Sequence, residues 1–338
     1  MSLADTPIFI VGPCAAESRE QVLLTAQQIV AQCPDYAVIF RAGVWKPRTN
    51  PHTFQGIGTE ALTWLQEVKN TYHLPVATEV ATPQHAEQAL NAGIDYLWLG
   101  ARTTANPIAV QELADTIAKH PNKASLQGVL VKNPVNEDTS LWLGDIERIE
   151  KTGVRTMAIH RGCGHRPCWA MAHTLRNTRP DIPLLLDPSH LSGMAEKIPA
   201  LVDYARLLAF DGLMIETHIR PAEALSDTRQ QVTPEQLKAL LNRFLVADNQ
   251  PNQTELRWLR AEIDEIDDQL WSAIARRMEV SERIGQWKKE NSMPALQPAR
   301  FQQIMQQRIE WAESVGLPKE MVENIFNEIH RASLSRQN

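Results

Sequence analysis

No stretch of the 338-residue sequence approaches the ~20 consecutive apolar residues that a membrane-spanning helix needs. Positive charge is not in excess either: 34 lysines and arginines stand against 40 aspartates and glutamates, a net charge of −6. That balance gives no electrostatic footprint for nucleic acid or an acidic membrane, so an anionic ligand must be met by cations gathered locally. Cysteine is scarce, occurring only at Cys14, Cys33, Cys163 and Cys168. The opening MSLADTPIFIVGPC places no basic segment before its short apolar run and does not read as a secretory signal. Reduced thiols and a cytoplasmic location are therefore expected, and in that setting a cysteine leans toward metal binding or reactivity. The length predicts one large domain or two.

What the first two-thirds of the chain does contain is a repeated unit: a short apolar run, a polar loop, then a helical stretch. The runs are residues 8–11, 37–40, 76–78, 96–99, 128–131, 157–159, 184–186 and 213–215. Unbroken apolarity predicts parallel strands buried on both faces, with the helical stretches as crossovers. Eight such units predict a (β/α)8 barrel, whose functional residues sit where strands end and the following loops begin. The segments at those points are GPCAAES, FRAGVWKPRTNP, TEV, GAR, VKNP, HRG, DPSH and IETH. Nearly every unusual polar residue falls there.

A last barrel helix is predicted from Thr233, with Pro234 at its first position and Gln236 three residues after the cap, ending near residue 246. ADNQPNQT, residues 247–254, reads as a linker. From residue 255 the pattern changes: Leu256, Leu259, Ile263, Ile266, Leu270 and Ile274 follow helical spacing toward residue 289. At 1.5 Å per residue that helix would be about 50 Å long. Two shorter helices are predicted at about 298–315 and 318–336, after Pro294 and Pro298. Three helices cannot bury such a stripe alone, so dimerisation through this region is expected.

Two constellations carry chemistry. Cys14, His190, Glu216 and Asp227 lie at or just beyond the ends of strands 1, 7 and 8. A thiolate, an imidazole and two carboxylates suit a borderline divalent ion, Mn²⁺, Fe²⁺, Co²⁺ or Zn²⁺, better than an all-oxygen Mg²⁺ site. Taken singly, Cys14 is a small core residue and His190 a satisfied loop histidine; convergence at one barrel mouth favours metal. Arg41, Lys46, Arg48, Arg102, Lys132 and Arg161 follow strands 2, 4, 5 and 6. Six cations on one face of an acidic protein imply a strongly anionic ligand, with more than one phosphate. Cys163 and Cys168, with His165 in CGHRPC, form a further cluster: a metal or redox role competes there with the plainer reading of loop thiols.

These motifs carry a family resemblance over nearly the whole chain. GPCAAES, FRAGVWKPRTNP, GAR, VKNP, HRG, DPSH and DGLMIETH with LSD make residues 1 to about 245 similar to 3-deoxy-D-arabino-heptulosonate 7-phosphate (DAHP) synthase, and KNPVNEDTSLWLG resembles its type I beta branch. The resemblance implies a metal held by Cys14, His190, Glu216 and Asp227, phosphoenolpyruvate on Arg41, Lys46, Arg102, Lys132 and Arg161, and erythrose 4-phosphate on Pro47, Arg48 and Thr49. Cys14, Lys46 and His190 would then be catalytic. The sister family, 3-deoxy-octulosonate 8-phosphate synthase, carries an asparagine-containing segment where this chain has Lys46-Pro47-Arg48-Thr49. After HRG, CGHRPCWAMAHTLRN departs from the usual phenylalanine-containing continuation.

Residues 254–337 resemble the all-helical AroQ-class chorismate mutase through LRAEIDEIDDQL, ARRMEVSERIGQWKKEN and IHRASLSRQ. That resemblance places chorismate on Arg260, Arg277, Lys288, Arg300, Ser333 and Gln337, with Lys288 and Gln337 catalytic and Arg260 reaching into the partner's site of an intertwined homodimer. Gln297 and Phe301 stand where relatives often carry acidic residues. The whole then reads as a barrel (residues 1–246), a linker (247–254) and a mutase domain (255–338), with a homodimer or higher oligomer expected. The alternative is one active barrel carrying a helical binding and dimerisation module. The ferredoxin-like regulatory domain of some relatives is not expected ahead of strand 1, so the mutase domain is expected to serve as the sensor for prephenate or chorismate.

Overall fold

The computed structural model describes residues 6–47, 52–164, 166–246 and 253–337. Eight parallel strands close into a barrel in chain order: β1 (Ile8–Gly12), β2 (Val38–Arg41), β3 (Val76–Val80), β4 (Tyr96–Leu99), β5 (Gly128–Lys132), β6 (Thr156–His160), β7 (Leu184–Leu186) and β8 (Gly212–Glu216). Closure runs from Ile8↔Gly212 to Gly12↔Glu216. Around it lie α1 (Arg19–Gln32), α2 (Glu60–Tyr72), α3 (Pro83–Asn91), α4 (Pro107–Lys119), α5 (Thr139–Glu150), α6 (Trp169–Thr178), α7 (Pro188–Ser192), α8 (Ile198–Leu207) and α9 (Pro234–Phe244). Three longer helices follow: α10 (Thr254–Glu290), α11 (Pro298–Ser314) and α12 (Lys319–Gln337). All eight expected runs are strands.

Their apolarity is unbroken because both faces are buried. Ile10, Trp98, Leu130, Ile159, Leu185 and Met214 fill the barrel interior, while their strand neighbours such as Leu97, Leu99, Val129 and Val131 pack under the helices. Local capping sets the crossovers. Ser18 and Asp138 side chains accept from the backbone N–H of Gln21 and Leu141 at 3.1 and 2.9 Å. At Thr233 and Gln236 the full reciprocal capping box forms, as the sequence predicts.

The chain divides into two compact units, Met1–Glu262 and Ile263–Asn338. The expected linker lies outside the described residues up to residue 252. The first turns of α10 pack with the barrel unit, and the reason is visible in three residues on one helical face, Glu255, Trp258 and Glu262. Trp258 is buried against Trp169 and Phe210 and stacks flat on His173, with centroids 5.3 Å apart. His173 is bonded on both nitrogens, to Glu262 at 2.6 Å and Glu255 at 3.0 Å. Burial works against its charged form, but the two carboxylates outweigh that and raise its pKa.

In the second unit, α10 and α12 approach closely. A Cβ at Gly285 would stand 2.6 Å from Gln337 Cα, so glycine there lets the backbones meet. Phe301 stacks between Phe326 and His330. The apolar stripe of α10 stays largely uncovered, with Ile266 62% and Leu270 51% exposed. That matches the expectation that three helices cannot bury it alone.

One buried acid gives a stability prediction. The Asp145 side chain is fully buried on α5, its Oδ1 is 3.3 Å from Arg148, and its Oδ2 lacks a hydrogen-bond partner among the described residues. Burial raises its pKa from 3.8 to about 7, against the pull of Arg148. A carboxyl whose folded pKa is raised loses stability as pH climbs from its unfolded pKa to its folded one, because only the unfolded chain ionises in that window. Asp145→Asn is therefore expected to flatten stability between pH 4 and 7 and to gain roughly 2–3 kcal/mol at pH 8. Urea denaturation of both proteins across that range checks this; a variant less stable than wild type at pH 8 would contradict it.

Candidate active sites

The carboxyl ends of the strands gather the first constellation. Gly12 closes β1 with φ 141°, and a Cβ there would lie 2.2 Å from Arg41 O, so only glycine lets the β1 and β2 ends meet. Two residues on, the Cys14 thiol is buried and donates to Asp227 Oδ2 at 2.8 Å. One donor atom each from Cys14, Glu216 and Asp227 lies within 4.8 Å of the others. His190 joins through Glu216, its Nε2 3.6 Å from Oε1. The other His190 nitrogen is held by Asp187 at 2.8 Å, which fixes the ring and its tautomer.

Beside this triple is a cavity of about 370 Å³ lined by Arg41, Lys46, Arg102, Lys132 and Arg161, with Pro47 and Trp98. Five of the six expected cations thus share one chamber. Arg48, with Thr49, lies outside the described residues. Arg41 is 1% exposed, donates to Glu216 Oε1 at 3.1 Å and lies over the Trp98 ring at 4.6 Å. Its Nε and Nη1 are buried without a hydrogen-bond partner among the described residues. Lys46 reaches Cys14 Sγ at 3.1 Å, and Lys132 pairs with Asp187 at 2.6 Å.

Burial and opposed charges set the titration of this chamber. Desolvation, reinforced by Glu216, pushes the Cys14 thiol far up. Burial also acts to raise Glu216 and Asp187, but the cations around them win: His190 and Arg41 hold Glu216 below the usual carboxylate range, and His190 and Lys132 hold Asp187 well below it. Lys132 and Arg161 are lowered by burial, whereas for Lys46 the neighbouring Cys14, Glu79 and Glu216 outweigh it.

The second constellation lies on the helical unit. Arg277 donates to the buried hydroxyl of Ser333. Lys288 Nζ is 2.6 Å from Ala295 O and 3.2 Å from Gln337 Oε1. Arg300 is exposed and bonds Gln303 at 2.9 Å. Arg260, expected to join this set, is not part of that unit: it is exposed on the first turns of α10, within Met1–Glu262.

The family model described as DAHP synthetase I matches residues 4–249, nearly three-quarters of the chain. The chain belongs to the DAHP synthetase I family. The phospho-2-dehydro-3-deoxyheptonate aldolase of Thermotoga maritima is 28% identical over 253 residues, covering 70% of this chain and 68% of the relative. The 2-dehydro-3-deoxyphosphooctonate aldolase of Helicobacter pylori is 27% identical over 266 residues, or 72% of this chain and 96% of that one. The crystal structure of the Thermotoga maritima DAHP synthase superposes with a TM-score of 0.61 at 25% identity, covering 72% of this chain and 71% of its own. Residues 259–338 match the model for chorismate mutase type II. The chain is thus a bifunctional shikimate-pathway enzyme, a DAHP synthase joined to a chorismate mutase.

The strand-end cluster of the barrel contains residues to which the sequence reading gave no role. Asp187 links Lys132 to His190. Glu79 stands 3.9 Å from Lys46, and a Cβ at Gly100 would meet Glu79 Oε1 at 2.1 Å, so Gly100 is what admits that carboxylate. Asn133 Oδ1 accepts from Arg161 N at 2.7 Å and so holds the β6 loop. All three lie in the strand-end motifs TEV, DPSH and VKNP, which marked the place without the partner. The CGHRPC thiols are buried, and Cys163 packs against Met171 with the sulfurs 3.4 Å apart.

Proposed function

We propose that Cys14, His190, Glu216 and Asp227 hold the divalent metal of the DAHP synthase reaction, with Mn²⁺ foremost and Fe²⁺, Co²⁺ or Zn²⁺ also suited to this donor set. The observation that carries this is the convergence of one thiol and two carboxylates within 4.8 Å, beside a chamber lined by five cations. When bound, the ion supplies Lewis-acid polarisation of the aldehyde oxygen of erythrose 4-phosphate. The remaining work falls to the chain. Arg41, Lys46, Arg102, Lys132 and Arg161 neutralise the carboxylate and phosphate of phosphoenolpyruvate, and Pro47, Arg48 and Thr49 take the sugar phosphate. Two mutually repelling anions are thereby held so that C3 of the enol attacks the aldehyde carbon. Water then adds at C2 and phosphate leaves.

In the mutase domain, Arg277, Arg300 and Ser333 hold the carboxylates of chorismate, while Lys288 and Gln337 donate to its ether oxygen as charge develops there. The rearrangement needs no acid, base or cofactor. Arg260 completes the site of a second copy in a homodimer, and the exposed stripe of α10 that includes Ile266 and Leu270 supports that assembly. Functionally the chain divides as residues 1–246 and 255–338, and it works in the cytoplasm. Among the described residues, no helix is long and apolar enough to cross a membrane.

Prephenate, bound in the mutase domain, is the feedback effector of the barrel. The full chain is assayed for phosphate release from phosphoenolpyruvate and for chorismate loss, each with and without prephenate. In Arg277→Ala, chorismate turnover should fall by about 10²-fold or more and inhibition of the synthase by prephenate should disappear. Unchanged inhibition in a variant that no longer turns over chorismate would defeat the regulatory assignment.

A further inference from the structure

Two adjacent glutamines beyond β8 reach every member of the converging triple. We infer that Gln230 and Gln231 form an amide clamp that positions Cys14, Glu216 and Asp227, and so sets how tightly this domain holds its metal; the inference rests on the metal-site reading above. Both side chains are buried, at 9% and 2% exposure.

Gln230 Nε2 donates to Glu216 Oε2 at 2.7 Å, while Arg41 donates to Oε1 at 3.1 Å. With each carboxylate oxygen engaged, the rotation of the Glu216 side chain is fixed. The Gln230 N–H donates to Asp227 O at 3.2 Å and closes the turn that presents Asp227, whose φ of 52° is in the left-handed region. Gln231 works in the other direction. Its Oε1 accepts from the Cys14 N–H at 3.0 Å, and its Nε2 donates to Ser226 O at 2.9 Å, one residue before Asp227.

The backbone makes this reach possible. Thr217 pairs with Val232 in parallel, with Val232 N donating to Glu216 O and His218 N to Val232 O, each at 2.9 Å. That pairing lays the 226–232 loop along the end of β8. Residues 230 and 231 then project in opposite senses, one to the carboxylate of β8 and one across to the loop after β1. The residue type matters as much as the position. A lysine or arginine at 230 would add a cation competing with the ion, and a glutamate would set carboxylate against carboxylate. A neutral amide orients Glu216 while leaving its charge for the metal.

The test uses the full chain, stripped with a chelator and titrated with Mn²⁺ against a fluorescent metal-sensitive chelator. A parallel titration with Co²⁺ reads the thiolate-to-metal charge-transfer absorption. Gln230→Met and Gln231→Met, which remove the amide at similar volume, should each lower Mn²⁺ affinity by about 10–100-fold. Gln231→Met should also shift the thiolate band, because it frees the Cys14 backbone. The melting temperature of the stripped protein should fall by only the few degrees that unpaired buried groups cost. Gln230→Asn and Gln231→Asn, which keep an amide one methylene short, serve if the methionine variants do not fold and should show the same weakening. Wild-type affinity in the glutamine variants, or a lowered melting temperature with affinity intact, would overturn the clamp. A wild-type protein without a thiolate band, or a Cys14→Ala protein that keeps one, would instead defeat the metal-site reading itself.

Discussion

Replacing Cys14 with alanine is expected to lower DAHP formation by about a thousandfold or more while chorismate turnover by the same protein is retained. The separation follows from geometry. Cys14 is buried at the end of the barrel's first strand, where its thiol meets Asp227 at 2.8 Å and Lys46 at 3.1 Å, whereas Lys288, Arg277 and Ser333 belong to the other compact unit. Alanine removes the soft donor without adding bulk, so the barrel should stay folded and the loss should track metal content. Because burial pushes the thiol up, the ion must displace a proton to be bound, and metal affinity should weaken as pH falls. Metal analysis, phosphate release and chorismate absorbance on one preparation make the comparison. Full phosphate release with normal metal content would sink the assignment of Cys14.

Lys288→Ala should remove most of the second activity. Its Nζ is held by Ala295 O at 2.6 Å and Gln337 Oε1 at 3.2 Å, so the donation to the chorismate ether oxygen proposed for it would need little reorganisation. A preorganised donor aimed at developing charge is worth about 10²–10³ in rate, and its loss should appear in kcat more than in KM. Gln337→Ala should move in the same direction by a smaller factor, since its partner Lys288 remains. Lys288 is partly exposed on α10, so truncation should leave the helices intact by circular dichroism. A raised KM with kcat unchanged would reassign Lys288 to ground-state binding.

How much of this was legible differs by element, for physical reasons. The barrel could be read because parallel strands buried on both faces leave uninterrupted apolar runs, and all eight marked the strands found. The Thr233 capping box was equally legible, since both partners lie within one helical turn. The extent of α10 was visible from its periodicity, but not its anchoring on α6. His173 and Glu262 are 89 residues apart, and neither carries a local signal of the other.

Within the site, residue types and their places at strand ends were fixed by the sequence alone, because barrel loops put chemistry where strands stop. Cys14, Lys132, Arg161 and Glu216 needed nothing more to be singled out. Their partners did. Asp187 bridging Lys132 and His190, Glu79 admitted by Gly100, and Gln231 bonded to Cys14 across 217 residues exist as contacts only once the barrel closes. A buried polar group must find its hydrogen-bond partner wherever the fold brings one, and that choice is made by loop paths such as the Thr217–Val232 pairing. The sequence determined which donors and cations stand at the strand ends; the tertiary structure decided what holds those groups in place.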